Sequence, residues 1–134
     1  MLIYYIYNTS DGGIIEPGTI VAGRSAFGVV KKLCMKHLFT YESYIKSVQK
    51  NISKMRKVPV ILSSHLVLFS TAAINSYEGV WINWVMIKKI DIFGDNMTIT
   101  FDEKCRLNVK LSEIAYQCNH RKIMQIINYK NSLV

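Results

Sequence analysis

The chain has 134 residues, half of them hydrophobic, with only two prolines and seven glycines; this excludes a disordered segment and suffices for one core. Its 17 Lys and Arg outnumber nine Asp and Glu, a formal charge of +8 that favours polyanionic partners where it is concentrated. The three cysteines, Cys34, Cys105 and Cys118, are odd in number and lack C-x-x-C spacing. That excludes a disulfide framework and a thiolate zinc site, and reads as reduced, buried thiols of a cytoplasmic protein.

Leu2 to Tyr7 reads as a strand, and Met1 to Tyr7 carries no basic run, so no export signal is expected. Asp11-Gly12-Gly13 marks a turn, with a return strand near Ile14, and Pro17-Gly18 a second turn. From Phe27 the period becomes helical: Val29, Val30, Leu33 and Leu38 share a face, with Lys31, Lys32 and Lys36 between them. Thr40 then suits an N-cap. Tyr41, Ile45, Val48, Ile52 and Met55 line one face of the next helix, and Glu42, Lys46, Lys50 and Lys54 recur every four residues on another. Glu42 and Lys46 are expected to pair, and the three lysines to stand in a row, about 6 Å apart per turn. Lys54, Arg56 and Lys57 would close the helix at its negative end, before Pro59 stops it.

Val58 to Tyr77 is twenty residues without a charge, the length of a membrane span, but Pro59, Ser63, Ser64, His65, Ser70, Thr71, Asn75 and Ser76 interrupt it. Two buried strands are expected instead, Val60–Leu62 and Leu66–Thr71, and no membrane partner. Val80–Ile87 reads as a further strand with Trp81 and Trp84 on opposite sides, one in the core and the other free for packing or for stacking on a partner. Lys89–Phe93 and Met97–Phe101 form a hairpin around Gly94-Asp95-Asn96. Cys105–Leu111 is a last strand, and Ser112 caps a helix through about Asn128. The expected fold is one α+β domain over 1–134: an antiparallel sheet of about five to seven strands, two helices in the N-terminal half and one at the C-terminus.

Catalysis finds no support. His37, His65 and His120 are scattered, no phosphate loop or nucleophile motif is present, and no cofactor or metal is called for. Asp91, Asp102 and Glu103 would be the acids of a metal-dependent nuclease, although their spacing does not favour one. The charge, by contrast, is concentrated. Arg24, Lys31, Lys32, Lys36, Lys46, Lys50, Lys54, Arg56 and Lys57 fall in one quarter of the chain with Glu42 as the lone acid, and the remaining hundred residues are neutral in sum. Lysine rows neutralise phosphates without ordered geometry, which points to DNA, with Gln49, Asn51 and Arg56 as donors to bases. The helix lacks an apolar Trp or Phe to enter a lipid surface.

The order of several short words resembles the ComK family of competence transcription activators. Val29, Val30 and Cys34 precede the basic stretch from Thr40-Tyr41-Glu42 to Lys54. Lys57-Val58-Pro59-Val60-Ile61, Leu68-Phe69-Ser70-Thr71 and Val80-Trp81-Ile82-Asn83 follow, and the similarity covers about residues 24–127. Leu38, Ser43 and Tyr44 stand where the family carries Gly, Gly and Arg; Ser70 replaces a Pro and Gly79 a Cys. The resemblance implies an oligomeric activator of DNA-uptake genes that contacts the minor groove of AT-rich promoter DNA. Lys46, Lys50, Lys54 and Lys57 would hold one phosphate strand and Lys31, Lys32 and Lys36 the next, with Arg56 or Arg24 entering the groove. The alternative it leaves open is a degenerate relative that keeps the fold but binds a regulatory protein.

Overall fold

The computed structural model describes residues 1–133, and its first element is the strand Tyr5–Thr9 (β1). It turns at Ser10-Asp11 into Gly12–Glu16 (β2), with Thr9 opposite Gly12 and Tyr5 opposite Glu16. The turn thus lies just before the glycine pair. Gly12 (φ +122°) and Gly13 serve a close approach instead: a Cβ on either would come within 2.4 Å of a carbonyl oxygen, of Gly23 or of Ser25. The strand Ile20–Gly23 (β3), which periodicity does not announce, pairs with β2 at the sheet edge with Ile20 and Val21 exposed.

Two helices follow, Ala26–Lys36 (α1) and Tyr41–Asn51 (α2), capped by Ser25 and Thr40, whose hydroxyl oxygens accept from Gly28 N–H and Ser43 N–H. The strands Val60–Ser63 (β4), Leu66–Ser70 (β5) and Trp81–Asn83 (β6) complete a six-stranded antiparallel sheet of order β3-β2-β1-β6-β5-β4. Trp84–Met86 is a 3₁₀ turn, so the strand expected through Ile87 ends at Asn83. Lys89–Phe93 (β7), Asn96–Thr100 (β8) and Arg106–Lys110 (β9) form a separate three-stranded meander. Glu113–Ser132 (α3) ends the fold, with Ser112 as its cap and four residues beyond the expected stop. The α+β class and the helix placement agree with the sequence.

Alternation along β5 sets the layers. Leu66 and Leu68 point to the face covered by α1 and α2, where Ile6, Val29, Val30, Cys34 and Trp81 also lie. Val67 and Phe69 point to the opposite face, covered by the meander and α3 through Met97, Ile99, Phe101 and Ile123. A third cluster of Val48, Met55, Val58 and Ile126 joins α2 to α3 around the β4 edge. Each large side chain so buried contributes about 1.5–3 kcal/mol of hydrophobic stabilisation. Both tryptophans are used in packing. Trp81, 2 % exposed, stacks on Phe27 with centroids 6.4 Å apart, and half-buried Trp84 lies on His120 of α3 at 5.6 Å. Neither is a free stacking surface.

Two sequence expectations fail at helix ends. Helix α2 stops at Asn51, so Lys54 leaves the lysine row and Met55 reaches the core from a loop. The loop is held by Gln49 Nε2 donating to Met55 O at 3.3 Å, and Lys57 takes φ +47° so that Val58-Pro59 can run into β4. Leu38, expected on the apolar face of α1, is 94 % exposed with φ +71°. It occupies the left-handed position of a Schellman turn, in which Phe39 N–H donates to Cys34 O (3.2 Å) and Leu38 N–H to Met35 O (3.1 Å). A branched side chain there is strained and buries nothing. Leu38→Gly should therefore stabilise the fold by about 1 kcal/mol and raise the melting temperature by about 3–5 °C, read by thermal unfolding. An unchanged or lower Tm would contradict the strain.

Candidate nucleic-acid interface

All nine basic residues singled out in the sequence are exposed. They sit on four pieces of backbone. Arg24 precedes the cap of α1; Lys31, Lys32 and Lys36 line its outer side; Lys46 and Lys50 stand one turn apart on α2; Lys54, Arg56 and Lys57 follow on the loop.

The α1 lysines divide. Lys31 reaches α2 and pairs with Glu42 at 2.8 Å, while Lys32 Nζ donates to Ala22 O at 3.3 Å, towards β3. Glu42 thus takes Lys31 rather than Lys46, because packing α1 on α2 places that ammonium closer than the next turn of its own helix. The hydrogen bond from Lys31 holds the Glu42 carboxyl below its ordinary range. Lys31 also lies 5.3 Å from the centroid of the Phe27 ring. Among the described residues the other eight cations make no ion pair.

Arg56 and Lys57 return to α2. With Gln49, Ile45, Tyr41 and Ile74 they line a groove of about 370 Å³. The Arg56 guanidinium makes no hydrogen bond within the described residues, whereas Gln49 Nε2 is given to Met55 O and Asn51 Nδ2 to Ser47 O (2.9 Å). Of the three expected base-contacting donors, Arg56 alone keeps all its N–H groups outward.

Helix α3 adds cations that the sequence did not single out. Lys122 Nζ donates to Arg56 O, and Lys130 lines a second groove with Ser47 and Asn51 of α2. They are hidden in a count of charge by chain segment, since the hundred residues outside the basic quarter are neutral in sum; the topology brings them to the α2 side.

Tyr44, for which the resemblance leads one to expect an arginine, is structural. Its ring stacks on Phe39 with centroids 5.5 Å apart. Its hydroxyl donates to Pro59 O at 2.8 Å and accepts from Ile61 N–H at 3.1 Å, and burial pushes its pKa up to about 12. Tyr44→Phe should cost about 1–3 kcal/mol in urea unfolding, because it strands two half-buried backbone groups at the start of β4. A cost below about 0.5 kcal/mol would show that water replaces the hydroxyl.

Two of the three acids considered for catalysis, Asp102 and Asp91, have other partners. Asp102 accepts from Tyr4 O–H (2.7 Å) and from the N–H groups of Lys104 (2.8 Å) and Cys105 (2.7 Å), which hold its carboxyl below the ordinary range and fix the turn into β9. Asp91 lies 3.8 Å from Lys89. Among the described residues no three or more His, Cys, Asp or Glu are grouped to hold a metal ion. The Cys34 thiol, buried near Glu42, is pushed up to about 11 and is unreactive at neutral pH. No helix of the described residues is long and apolar enough to cross a membrane.

Three packed layers carry a largely uncompensated cationic shell on two consecutive helices, the loop behind them and the edge of a third, and together they define a small basic α+β domain. The chain belongs to the ComK family: the family model for ComK protein matches residues 9–131, nearly its whole length and further in both directions than the resemblance read from the sequence. Membership points to a competence transcription factor, a class that is not enzymatic. No curated protein and no solved structure matches the chain.

Proposed function

We propose that this protein regulates DNA-uptake genes in the cytoplasm by binding AT-rich promoter duplexes through the basic shell of α1, α2 and the loop 52–57. The observation that carries the reading is that eight of the nine cations there are exposed and unpaired among the described residues. Lys46 and Lys50 suit one phosphate strand, with Lys54 and Lys57 beside them on the loop. Lys31, Lys32 and Lys36 suit the other strand, and Arg56 or Arg24 the narrow, strongly negative minor groove of AT-rich DNA. A homo-oligomer would present two such shells to paired half-sites and gain affinity by effective concentration.

A fluorescence-anisotropy titration with an AT-rich and a GC-rich duplex of equal length, at about 50 and 200 mM salt, tests this. Tighter binding to the AT-rich duplex, retained at the higher salt, is the expected result; no binding to either would overturn it. Tyr44 favours one rival, a ComK-like module that binds a regulatory protein without reading DNA, since the position of the family arginine is spent on packing here. Capture of a protein partner that survives nuclease treatment, together with a failed duplex titration, would establish that rival.

A further inference from the structure

Leu38 is at odds with the rest of the fold. It adopts a left-handed conformation that glycine would take without strain, and its side chain is 94 % exposed, so no burial offsets the cost. Yet the turn that holds it is rigid. Phe39 is locked by its bond to Cys34 O and by stacking on Tyr44, and Tyr44 is in turn pinned between Pro59 and Ile61. An apolar group is thus presented outward, at a fixed angle, from the junction of the two basic helices. Met35, 61 % exposed, stands beside it on the last turn of α1, and Lys36 and His37 lie between them in the chain. One turn earlier Lys31 and Lys32 are also exposed, Lys31 reaching to Glu42 of α2 and Lys32 towards β3.

An apolar tip flanked by Lys36, with further lysines one turn back on α1, fits a surface that is anionic outside and apolar within. A base step behind its phosphates has that structure. We infer that Leu38 is a wedge that seats between two base pairs of the bound duplex from the minor-groove side, with Met35 against the adjoining sugar edge and the α1 lysines on the flanking phosphates. The inference rests on the DNA-binding reading above and adds a source of sequence preference to it. Pyrimidine–purine steps such as TA unstack at least cost, so a wedge prefers AT-rich sites without hydrogen-bonding a base. That suits a chain whose Gln49 and Asn51 amides donate to its own backbone carbonyls and whose Tyr44 is structural.

The test compares the full chain with Leu38→Gly and Leu38→Met on a duplex carrying 2-aminopurine at a central TA step and end-labelled for energy transfer. Wild type should raise the 2-aminopurine fluorescence and shorten the end-to-end distance. Leu38→Met should keep both signals. Leu38→Gly should melt at a higher temperature than wild type, keep its salt-dependent binding, lose both signals, and lose about tenfold of its preference for AT-rich over GC-rich DNA. A better-folded variant with a lost unstacking signal cannot be explained by structural damage. Wild-type binding without any 2-aminopurine change, or a Leu38→Gly variant that unstacks and bends as wild type does, would overturn the wedge while leaving DNA binding intact. Failure of wild type to bind any duplex would overturn both readings and leave the apolar tip to an acidic protein partner.

Discussion

Asn83→Leu should cost about 3–5 kcal/mol, a large loss for a single substitution. Asn83 is 1 % exposed, and its side chain makes four hydrogen bonds. Nδ2 donates to Ile3 O at 2.8 Å and His65 O at 3.0 Å; Oδ1 accepts from Val67 N–H at 3.1 Å and Val85 N–H at 3.3 Å. One amide thus ties the chain before β1, the turn between β4 and β5, the start of β5 and the 3₁₀ turn. Leucine keeps the branching at Cγ but is larger, and it leaves two carbonyls and two N–H groups without their partner, those of Ile3 and Val67 fully buried. Urea unfolding followed by tryptophan fluorescence measures the loss. A cost under about 1 kcal/mol would mean that these backbone groups find other partners, and that the amide is not the junction the geometry describes.

The second large effect concerns the interface. Lys46, Lys50 and Lys54 changed together to Glu should weaken binding to an AT-rich duplex at least about 100-fold, with the fold preserved. All three are exposed and unpaired among the described residues, so their reversal costs no buried contact. It removes three phosphate neutralisations and adds three repulsions. Circular dichroism should be unchanged. Wild-type affinity in the triple variant would place the DNA-binding surface elsewhere on the molecule, with Arg24, Lys32 and Lys36 as the next residues to reverse.

Some of this was legible in the sequence and some was not, for reasons that individual residues show. The start of α2 was readable because Thr40 caps by a local rule, its hydroxyl accepting from a backbone group three residues on. Its end was not, because Ile52 and Met55 continue the helical spacing while reaching the core from a loop. Periodicity reports which residues are buried, not the backbone that carries them there. Leu38 fails for the converse reason: it keeps the spacing of an apolar face but sits two residues past the helix, where the chain reverses hand. The partner of Glu42 was a tertiary matter, settled by how α1 packs on α2. So was the pairing of β1 with β6, which joins Tyr5 to Ile82 and unites the first six strands in one sheet, leaving β7–β9 as a second. The basic segment was plain from a count of charge, but the count concealed Lys122 and Lys130, whose place beside α2 follows only from the third cluster of the core.

The central claim is that exposed cations of α1, α2 and the following loop neutralise DNA phosphates. Its most direct test is the salt dependence of wild-type affinity for the AT-rich duplex. Each neutralised phosphate contributes about −0.9 to the slope of log K against log salt concentration, so four or five contacts predict a slope of about −4. A slope near zero would contradict the account, because it would mean that the unpaired lysines of this shell do not face the phosphates.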